Sequence, residues 1–544
     1  MPAGAEGESL KQFILTITAT LALMTGHQID ALGQNRWVKT FGGTGYNVGH
    51  AVATTPGGDV VIAGCTSARD GDFEREGPLE YTDIFVIKLG NDGHVKWKKY
   101  YGGDSEDMCR SIAIAPDGGM LLSGYTYSTN GDFEGLSKGG VDIFVIKLDT
   151  DGDILWKKLY GGVSDDIGSG MSTSGENILI TGSTFSNDGD FEGFNERLNN
   201  AFVIKLDKDG NVLWTREFGG KREDIGYAVT PTSQNDVVIV GTTESDDGDF
   251  DKMYKGVVDI FVIKLDAKGN TRWKKTLGGS LFDYAYSVAS TPDGDVLITG
   301  ATNSYVGDSA GVRYDFQILV VKFDTDGNVI WNRSLGGTES EFGNSVTTRS
   351  DGSVLVTGYS ESNDGDFAGL NRLWEDIFVV NLDQDGSVRW KDLFGGSNNE
   401  RGYCIRTSAN NDMFIVGTYV SNDGDFSGME RGAPNVFVMK LDSSGVLNPP
   451  ASVTDNSSTT LFLSVSPNPL SVSSTITYNL DTPSQVRIEL LNMFGESIAV
   501  VHDERVVSGI HRVSLNIGSA PSGVYNLRMT SEASVHTTQV LVVR

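Results

Sequence analysis

The stretch that decides the fold is Phe202-Val-Ile-Lys-Leu-Asp207-Lys-Asp209-Gly210-Asn-Val-Leu-Trp214. Its first part is apolar and rich in β-branched and aromatic residues, which is typical of a β-strand. The Asp-x-Asp-Gly segment is typical of a tight turn, and the segment around Trp214 has the composition of a second strand. The stretch therefore predicts a β-hairpin.

This pattern recurs seven times, with one copy divided between the two ends of the array, and its tryptophan returns every 58 to 60 residues. Each tryptophan is followed five and six residues later by a Gly-Gly pair. Such even spacing is the sequence signature of stacked structural repeats. The seven tryptophans are Trp37, Trp97, Trp156, Trp214, Trp273, Trp331 and Trp390.

Each repeat contains four short segments with strand patterns and no helical periodicity, which is the composition of one β-propeller blade. The segment Asp259–Leu265 and its equivalents are apolar on both faces, as expected for strands covered by neighbouring blades. We therefore predict an all-β chain that forms a seven-bladed β-propeller with four-stranded blades over residues 34–447.

The two ends of the array predict how the ring closes. The first repeat begins with the bare strand around Trp37, and the last ends at Phe437-Val-Met-Lys-Leu441 with no tryptophan strand after it. These two halves complete each other. The Trp37 strand is therefore predicted to pair with the Phe437 strand as the outer strand of blade seven, which leaves no exposed sheet edge at the junction.

Three further segments flank the propeller. Residues 1–33 have the pattern of an export signal peptide, with an apolar run from Phe13 to Met24 that is too short to span a membrane; an uncleaved anchor or a misassigned start is the alternative. Residues 448–460 have linker composition. Residues 461–544 contain short alternating strands between Gly, Pro and Asn turns, which predicts a small β-sandwich.

Bulk composition excludes several functions. A formal charge of −29 and a pI near 4.5 exclude a nucleic-acid partner, because a phosphate backbone is bound by clustered Lys and Arg. Cys65, Cys109 and Cys404 match no disulfide framework or metal motif and are expected to be buried. The histidines fall outside the repeated pattern, so a repeated zinc site is excluded. No segment after the signal peptide is apolar enough to predict a transmembrane span.

The C-terminal segment contains an ordered series of short motifs: Ser466-Pro-Asn-Pro-Leu470, Leu491-Asn-Met-Phe-Gly495, Ser508-Gly-Ile-His511, Ser522-Gly-Val-Tyr525 and Gln539-Val-Leu-Val-Val-Arg544. It resembles the C-terminal sorting domain of the type IX secretion system of Bacteroidetes and relatives, with Leu470 where Phe is common. The resemblance implies that the secretion machinery is a partner and that the protein is secreted or displayed on the outer cell surface. The role of the propeller stays open.

The Leu-Asp-x-Asp-Gly-x-x-x-Trp hairpin resembles the tryptophan-docking motif of quinoprotein-type propellers, in which the tryptophan packs between adjacent blades. The resemblance implies a structural role for the seven tryptophans. It brings no cofactor, because no cofactor ligand of that family can be placed on residues of this chain. No cofactor is expected from this motif, and calcium is the candidate that the long loop of each repeat suggests.

That loop repeats the sequence Asp-Gly-Asp-Phe, which blade five replaces with Gly307-Asp308-Ser309. Two carboxylates across a Gly, with the Asp that opens the following strand, are hard oxygen ligands suited to calcium. The alternative is that the first Asp makes the turn, the second caps backbone amides and the Phe fixes the loop to its blade. The paired positions are Asp70 and Asp72, Asn130 and Asp132, Asp188 and Asp190, Asp247 and Asp249, Asp364 and Asp366, and Asp423 and Asp425.

A second acidic series follows the Gly-Gly pairs. In propeller topology it lies near the axis on the same face as the long loops, where it would form a ring that binds a cation or sugar hydroxyls. The alternative is that these short side chains cap amides at the strand start. The series is Asn47, Asp107, Asp166, Asp224, Asp283, Glu341 and Glu400.

These patterns favour a non-catalytic binding or adhesion protein that recognises glycans or proteins through its long-loop face. An extracellular polysaccharide hydrolase or lyase is the first alternative, and it would use blade five, where Tyr305–Asp315 breaks the repeat. A calcium-stabilised structural surface protein is the second. Trp374 lies outside the repeated set and is the candidate for ligand stacking, against simple packing of its loop.

Overall fold

The computed structural model describes residues 37–75, 81–194, 199–304, 315–371, 374–429 and 434–442, and in the C-terminal part 463–466, 473–480, 483–492, 497–507, 509–516, 521, 523–531 and 535–542. Internal contacts divide the chain into two compact units, Met1–Pro450 and Ala451–Arg544. The predicted signal peptide, residues 1–33, and the predicted linker, residues 448–460, lie outside the described residues.

The first unit consists of seven four-stranded antiparallel sheets, which are the predicted blades. The strand that precedes blade one is β1 (Trp37–Phe41). Blades one to three contain β2 (Asn47–Thr54), β3 (Val60–Thr66), β4 (Asp83–Leu89) and β5 (Val95–Tyr101); β6 (Asp107–Ile114), β7 (Met120–Thr126), β8 (Asp142–Leu148) and β9 (Ile154–Tyr160); β10 (Asp166–Ser174), β11 (Asn177–Thr184), β12 (Asn200–Leu206) and β13 (Val212–Phe218).

Blades four to six repeat this order and blade seven supplies three strands. They contain β14 (Asp224–Pro231), β15 (Val237–Thr243), β16 (Asp259–Leu265) and β17 (Thr271–Leu277); β18 (Asp283–Ser290), β19 (Val296–Thr302), β20 (Gln317–Phe323) and β21 (Val329–Leu335); β22 (Glu341–Thr348), β23 (Val354–Ser360), β24 (Asp376–Leu382) and β25 (Val388–Phe394); β26 (Arg401–Thr407), β27 (Met413–Tyr419) and β28 (Asn435–Leu441).

The ring closes as predicted. The first strand of each blade contacts the first strand of the next, and β26 of blade seven contacts β2 of blade one. Strand β1 pairs antiparallel with β28, with Trp37 opposite Lys440 and Thr40 opposite Phe437. The N-terminal strand is therefore the outer strand of blade seven, and the all-β seven-bladed propeller is confirmed.

Each blade has two ends. In blade two, Thr126 at the end of β7 lies opposite both Asp107 at the start of β6 and Asp142 at the start of β8. The Gly-Gly connection between blades and the long loop between second and third strands therefore emerge at the same end, which we call the Gly-Gly face. The long loops contain the 3-10 helices Gly71–Phe73, Gly131–Phe133, Gly189–Phe191, Gly248–Phe250, Gly365–Phe367 and Gly424–Phe426.

The repeated tryptophans dock each blade onto the next. Trp273 Nε1 donates a hydrogen bond to the Thr325 carbonyl at 3.1 Å. Its ring covers Gly327 in the next hairpin, where φ is +82° and an added Cβ would lie 2.8 Å from the ring. Glycine is required at this turn because both the backbone conformation and the contact exclude a side chain. The tryptophans are thus structural.

Buried side chains fill the space between blades. The Phe of each described Asp-Gly-Asp-Phe loop is buried, and Phe250 stacks on Phe261 of the adjacent strand with ring centroids 5.4 Å apart. The three cysteines are free and buried, as expected. The loops are therefore fixed to their blades by apolar contacts.

The second unit is a β-sandwich, as predicted. One sheet has the order β29 (Leu463–Ser466), β30 (Ser473–Leu480), β33 (Gly509–Asn516), and the other has the order β32 (Ser497–Val506), β31 (Ser484–Leu491), β34 (Gly523–Thr530), β35 (Val535–Val542). Buried residues of both sheets share one core. Within the described part of the chain, no helix has the length and apolar character needed to cross a membrane.

Candidate functional site

A continuous run of aromatic rings, which we call the aromatic arc, crosses blades four to six at the Gly-Gly face. Consecutive members have ring centroids 5.0 to 5.8 Å apart. All six side chains are half-buried, so part of each ring is open to solvent. The arc consists, in order, of Tyr227, Tyr286, Tyr284, Phe316, Phe342 and Tyr359.

The arc crosses a blade boundary at Phe316, which lies just before β20 of blade five. Its ring contacts Tyr284 of the same blade at 5.8 Å and Phe342 of blade six at 5.0 Å. Tyr284 and Tyr286 are stacked with an interplanar angle of 6°, and Phe342 and Tyr359 with an angle of 19°. Such offset stacks hold aromatic side chains in fixed orientations.

A cation of blade seven borders the arc, and an exposed tryptophan of blade six precedes the acid that binds this cation. The Arg401 guanidinium lies 4.9 Å from the Tyr359 ring centroid and binds both carboxylate oxygens of Glu375. Trp374 precedes Glu375 directly and its side chain is 62% exposed, while its carbonyl accepts a hydrogen bond from Asn371 Nδ2 at 2.9 Å. The backbone of Trp374 is therefore fixed, and its ring is available to a ligand.

A β-bulge in every inner strand leaves one extra residue outside the ladder. In blade five, Ala285 and Ser287 pair with consecutive residues of β19, which leaves Tyr286 without a partner in the ladder. Bulges commonly re-aim a side chain in this way. The seven bulge residues are His50, Arg110, Ser169, Tyr227, Tyr286, Asn344 and Tyr403.

The arc presents neutral hydroxyl groups beside carboxyl groups. Burial raises the pKa of Tyr286 and of Tyr359, so both phenols are neutral hydrogen-bond donors at any physiological pH. Glu361 follows the strand that carries Tyr359, and burial and then the charge of Glu375 raise its pKa. The site combines flat apolar surfaces with a few directed polar groups.

The acidic series after the Gly-Gly pairs lies inside the blades. Asp107 is fully buried and accepts hydrogen bonds from the Gly103 amide at 2.8 Å, the Ser128 hydroxyl at 2.9 Å and the Thr126 hydroxyl. Burial raises its pKa to about 7. These are the partners expected of the capping alternative, so ligand binding by this series stays a prediction. Asp166, Asp224 and Asp283 are also buried, and each caps the amide of a preceding glycine.

The Asp-Gly-Asp-Phe carboxylates bind the Gly-Gly connection of the same repeat. In blade six, Asp364 Oδ1 accepts the Thr338 amide at 2.8 Å and Asp366 Oδ2 accepts the Gly336 amide at 3.1 Å. The other oxygen of Asp366 forms an ion pair with Lys391 at 3.1 Å. Equivalent amide contacts are made by Asp70, Asp72, Asp188, Asp190, Asp247, Asp249, Asp423 and Asp425.

Calcium binding by these loops stays a prediction. The contacts match the capping alternative, in which the carboxylates join two loops of the Gly-Gly face and the ammonium of an outer-strand lysine balances the charge of the second Asp. Among the residues that the structure describes, no three His, Cys, Asp or Glu side chains are grouped as metal ligands.

Sequence reasoning singled out Trp374, whose role stays a prediction, and it missed the aromatic arc. Of the blade-five segment Tyr305–Asp315, residues 305–314 lie outside the described residues. The arc residues occupy repeat positions that vary in type: the bulge, the second residue of the inner strand, the penultimate residue of the second strand and the residue before the third strand. Tabulating large aromatic residues at these variable positions, blade by blade, would have indicated the arc.

Comparison with known proteins assigns both parts of the chain. Residues 143–414, half of the chain, match the family described as outer membrane protein assembly factor BamB. Residues 464–544 match the family described as secretion system C-terminal sorting domain. The two matches follow the boundary between the two compact units.

Two relatives are similar to part of this chain. A WD repeat-containing protein of Acanthamoeba polyphaga mimivirus is 24% identical over 270 residues, 40% of this chain and 19% of the relative. The regulatory protein FlaEY of Caulobacter vibrioides is 26% identical over 254 residues, 43% of this chain and 26% of the relative. The chain thus spans a fifth to a quarter of these proteins. The structure of PorZ, a surface component of the type IX secretion system of Porphyromonas gingivalis, aligns with 91% of this chain and 74% of PorZ at 10% identity and a TM-score of 0.26.

Proposed function

Because the chain belongs to the family described as outer membrane protein assembly factor BamB and carries a secretion system C-terminal sorting domain, we propose that it works outside the cell. We propose that it binds glycans there. The sorting domain directs the protein to the cell surface or the extracellular space. The propeller supplies the binding site, on the Gly-Gly face of blades four to seven.

The single observation that carries this proposal is the aromatic arc with Trp374 at its end. Aromatic rings bind the apolar faces of sugar rings, and the arc presents several rings in fixed orientations. The phenol of Tyr284 and the carboxyl group of Glu361 are placed to exchange hydrogen bonds with sugar hydroxyls. Stacked bases would need the same surface, but a formal charge of −29 opposes a phosphate backbone.

A glycan array probed with the full chain, once with calcium and once with chelator, tests this function. The variants are Trp374→Ala and Tyr284→Ala, and the matched control is Tyr81→Ala. Tyr81 is 47% exposed and stands two residues before the third strand of blade one, as Trp374 does in blade six. We expect each arc variant to weaken binding at least about tenfold, a loss of about 1.4 kcal/mol, and the control to bind like the wild type.

Equal binding by all three variants and the wild type would exclude the arc as the binding site. A reducing-sugar release assay on the same glycans separates binding from the hydrolase or lyase alternative, which requires turnover that the arc variants abolish. A protein that binds no glycan and loses stability with chelator is the calcium-stabilised structural protein instead.

A further inference from the structure

Two tyrosines at the same repeat position each hold an arginine over the ring. Tyr125 and Tyr359 are the penultimate residues of the second strands in blades two and six. The Arg110 guanidinium lies 5.7 Å from the ring centroid of Tyr125. The Arg401 guanidinium lies 4.9 Å from the ring centroid of Tyr359. Both are cation–π contacts, so each ring orients a guanidinium group on the Gly-Gly side of its blade.

The two arginines differ in their ion pairs. Arg401 binds both carboxylate oxygens of Glu375, so its charge is compensated within the fold. Arg110 is exposed and forms no ion pair with a carboxylate of the described residues. The stacked guanidinium of Arg401 is thus already paired, whereas that of Arg110 is accessible to a ligand.

Arg110 is the bulge residue of the inner strand in blade two. Bulge residues of neighbouring blades are in contact in two other places along the ring. The rings of His50 in blade one and Tyr403 in blade seven lie 5.7 Å apart, and those of Tyr227 in blade four and Tyr286 in blade five lie 5.5 Å apart. The bulge positions therefore bring side chains of successive blades together.

The charge of Arg110 acts on groups to both sides of it along the ring. Burial and then the charge of Arg110 lower the pKa of His50 well below its ordinary value, so this imidazole is neutral. The same charge acts on the phenol of Tyr227, whose pKa is raised mainly by burial. Between them, the bulge of blade three holds the small residue Ser169, followed by Gly170. Arg110 is therefore within electrostatic range of the first ring of the aromatic arc.

A second exposed ring lies beside this cation. Tyr127 is 51% exposed, and its ring meets that of Tyr125 with centroids 6.2 Å apart and an interplanar angle of 76°. The Tyr127 amide donates a hydrogen bond to the Glu106 carbonyl at 2.9 Å, so the backbone that carries the ring is fixed. A flat apolar ring beside a guanidinium suits a sugar that bears a carboxylate.

Carboxylates on the same surface limit the charge that a ligand can carry. Glu106 Oε1 accepts a hydrogen bond from the Tyr125 hydroxyl at 3.4 Å. Burial, Asp165 and Glu106 raise the pKa of the Tyr127 phenol, so both carboxylates act on this ring. The formal charge of −29 on the whole chain also repels polyanions. A ligand with one acidic group matches one unpaired guanidinium, whereas a polyanionic chain does not.

We propose that Arg110 binds the carboxylate of an acidic sugar, while Tyr127 stacks on the ring of that sugar and the rest of the glycan continues to the aromatic arc. The guanidinium donates two hydrogen bonds to the two carboxylate oxygens, as Arg401 does to Glu375. This inference rests on the proposed function, and it narrows the ligand from glycans in general to glycans that carry a uronic acid.

Binding of two matched probes to the full chain tests the proposal. One probe is an oligosaccharide that ends in a single glucuronic acid. The other is the same compound after its carboxyl group has been reduced to the alcohol, which leaves glucose at that end. We expect the wild type to bind the acidic probe at least about tenfold tighter than the neutral one. This preference should shrink as the ionic strength rises, because salt screens an exposed charge.

Three variants assign the preference to one side chain. Arg110→Gln should bind both probes equally, with the affinity that the wild type has for the neutral probe. Arg110→Lys keeps the charge but loses the planar pair of donors, so it should retain only part of the preference. The matched control is Arg222→Gln, which removes another exposed arginine from the Gly-Gly face and should keep the full preference. The urea denaturation midpoint of each variant shows whether it is folded, and the salt dependence of the wild type needs no variant.

Equal affinity of the wild type for the two probes would overturn this inference but leave glycan binding by the arc intact. So would an Arg110→Gln variant that keeps the preference for the acidic probe. A sulfated probe that depends on Arg110 when the carboxylated one does not would overturn the assignment to a uronic acid. Failure of the wild type to bind any glycan on the array would instead remove the proposed function, and this inference with it.

Discussion

Trp37 is the side chain on which closure of the propeller depends most. It is 8% exposed, and it joins the outer strand of blade seven to the hairpin of blade one. Its Nε1 donates a hydrogen bond to the Asn91 carbonyl at 2.9 Å, and its ring covers Gly93 and contacts Phe414 at 6.2 Å. We predict that Trp37→Ala opens the ring at this junction.

The expected loss follows from these contacts. Replacing a buried tryptophan by alanine costs about 3–5 kcal/mol through lost burial and the cavity left behind. The hydrogen bond to Asn91 accounts for about 1 kcal/mol of this, and the Phe414 contact for about another 1 kcal/mol. Since β1 is held in blade seven by non-covalent contacts and by its ladder with β28, the same substitution also weakens the attachment of the strand to its sheet.

Urea denaturation measures the free energy of unfolding, and limited proteolysis measures release of the strand. Trp374→Ala is the control for loss of an exposed tryptophan, and Trp273→Ala is the control for the same docking contact inside the chain. Both docking variants should lose about 4 kcal/mol, but only Trp37→Ala should become cleavable near the N-terminal strand. If Trp37→Ala is as stable as Trp374→Ala, the strand does not hold the ring closed.

Three further predictions concern the repeat. Gly327→Ala should lower the free energy of unfolding by more than about 1 kcal/mol, because the turn has positive φ and the docked tryptophan occupies the space of the new methyl group. Gly135 also has positive φ but open space around it, so Gly135→Ala should lower it by only about 1 kcal/mol. The midpoints of urea denaturation compare the two variants. Asp236→Ala leaves the buried Lys264 ammonium without its carboxylate and should cost about 3 kcal/mol, while Asp209→Ala in an exposed ion pair should leave the midpoint unchanged. Calorimetry at millimolar calcium should give no binding heat from the Asp-Gly-Asp-Phe loops, because amides and lysines already hold their carboxylates; several sites of one affinity would restore the calcium interpretation.

The fold could be predicted from sequence because its information is repeated. The strand pattern, the Gly-Gly pairs and the docking tryptophans each occur seven times, and the unmatched halves at Trp37 and Phe437 identified the closing contact. The direction in which an Asp or Glu side chain points cannot be predicted from such repeated patterns. Asp107 has the same residue type and spacing whether it faces the channel or the blade, and only the backbone geometry shows that it caps an amide.

The aromatic arc could not be predicted for a different reason. Neighbours in the aromatic arc, such as Tyr227 and Tyr286, are separated by a full repeat in sequence, so no local pattern links them. The repeated positions are committed to packing between blades, where the tryptophans, the loop phenylalanines and the Gly-Gly pairs leave little room for change. Under the proposed function, recognition uses the positions that packing does not fix, which are the bulge, the second residue of the inner strand, the penultimate residue of the second strand and the loop before the third strand. A ligand that contacts several blades would then read those positions together.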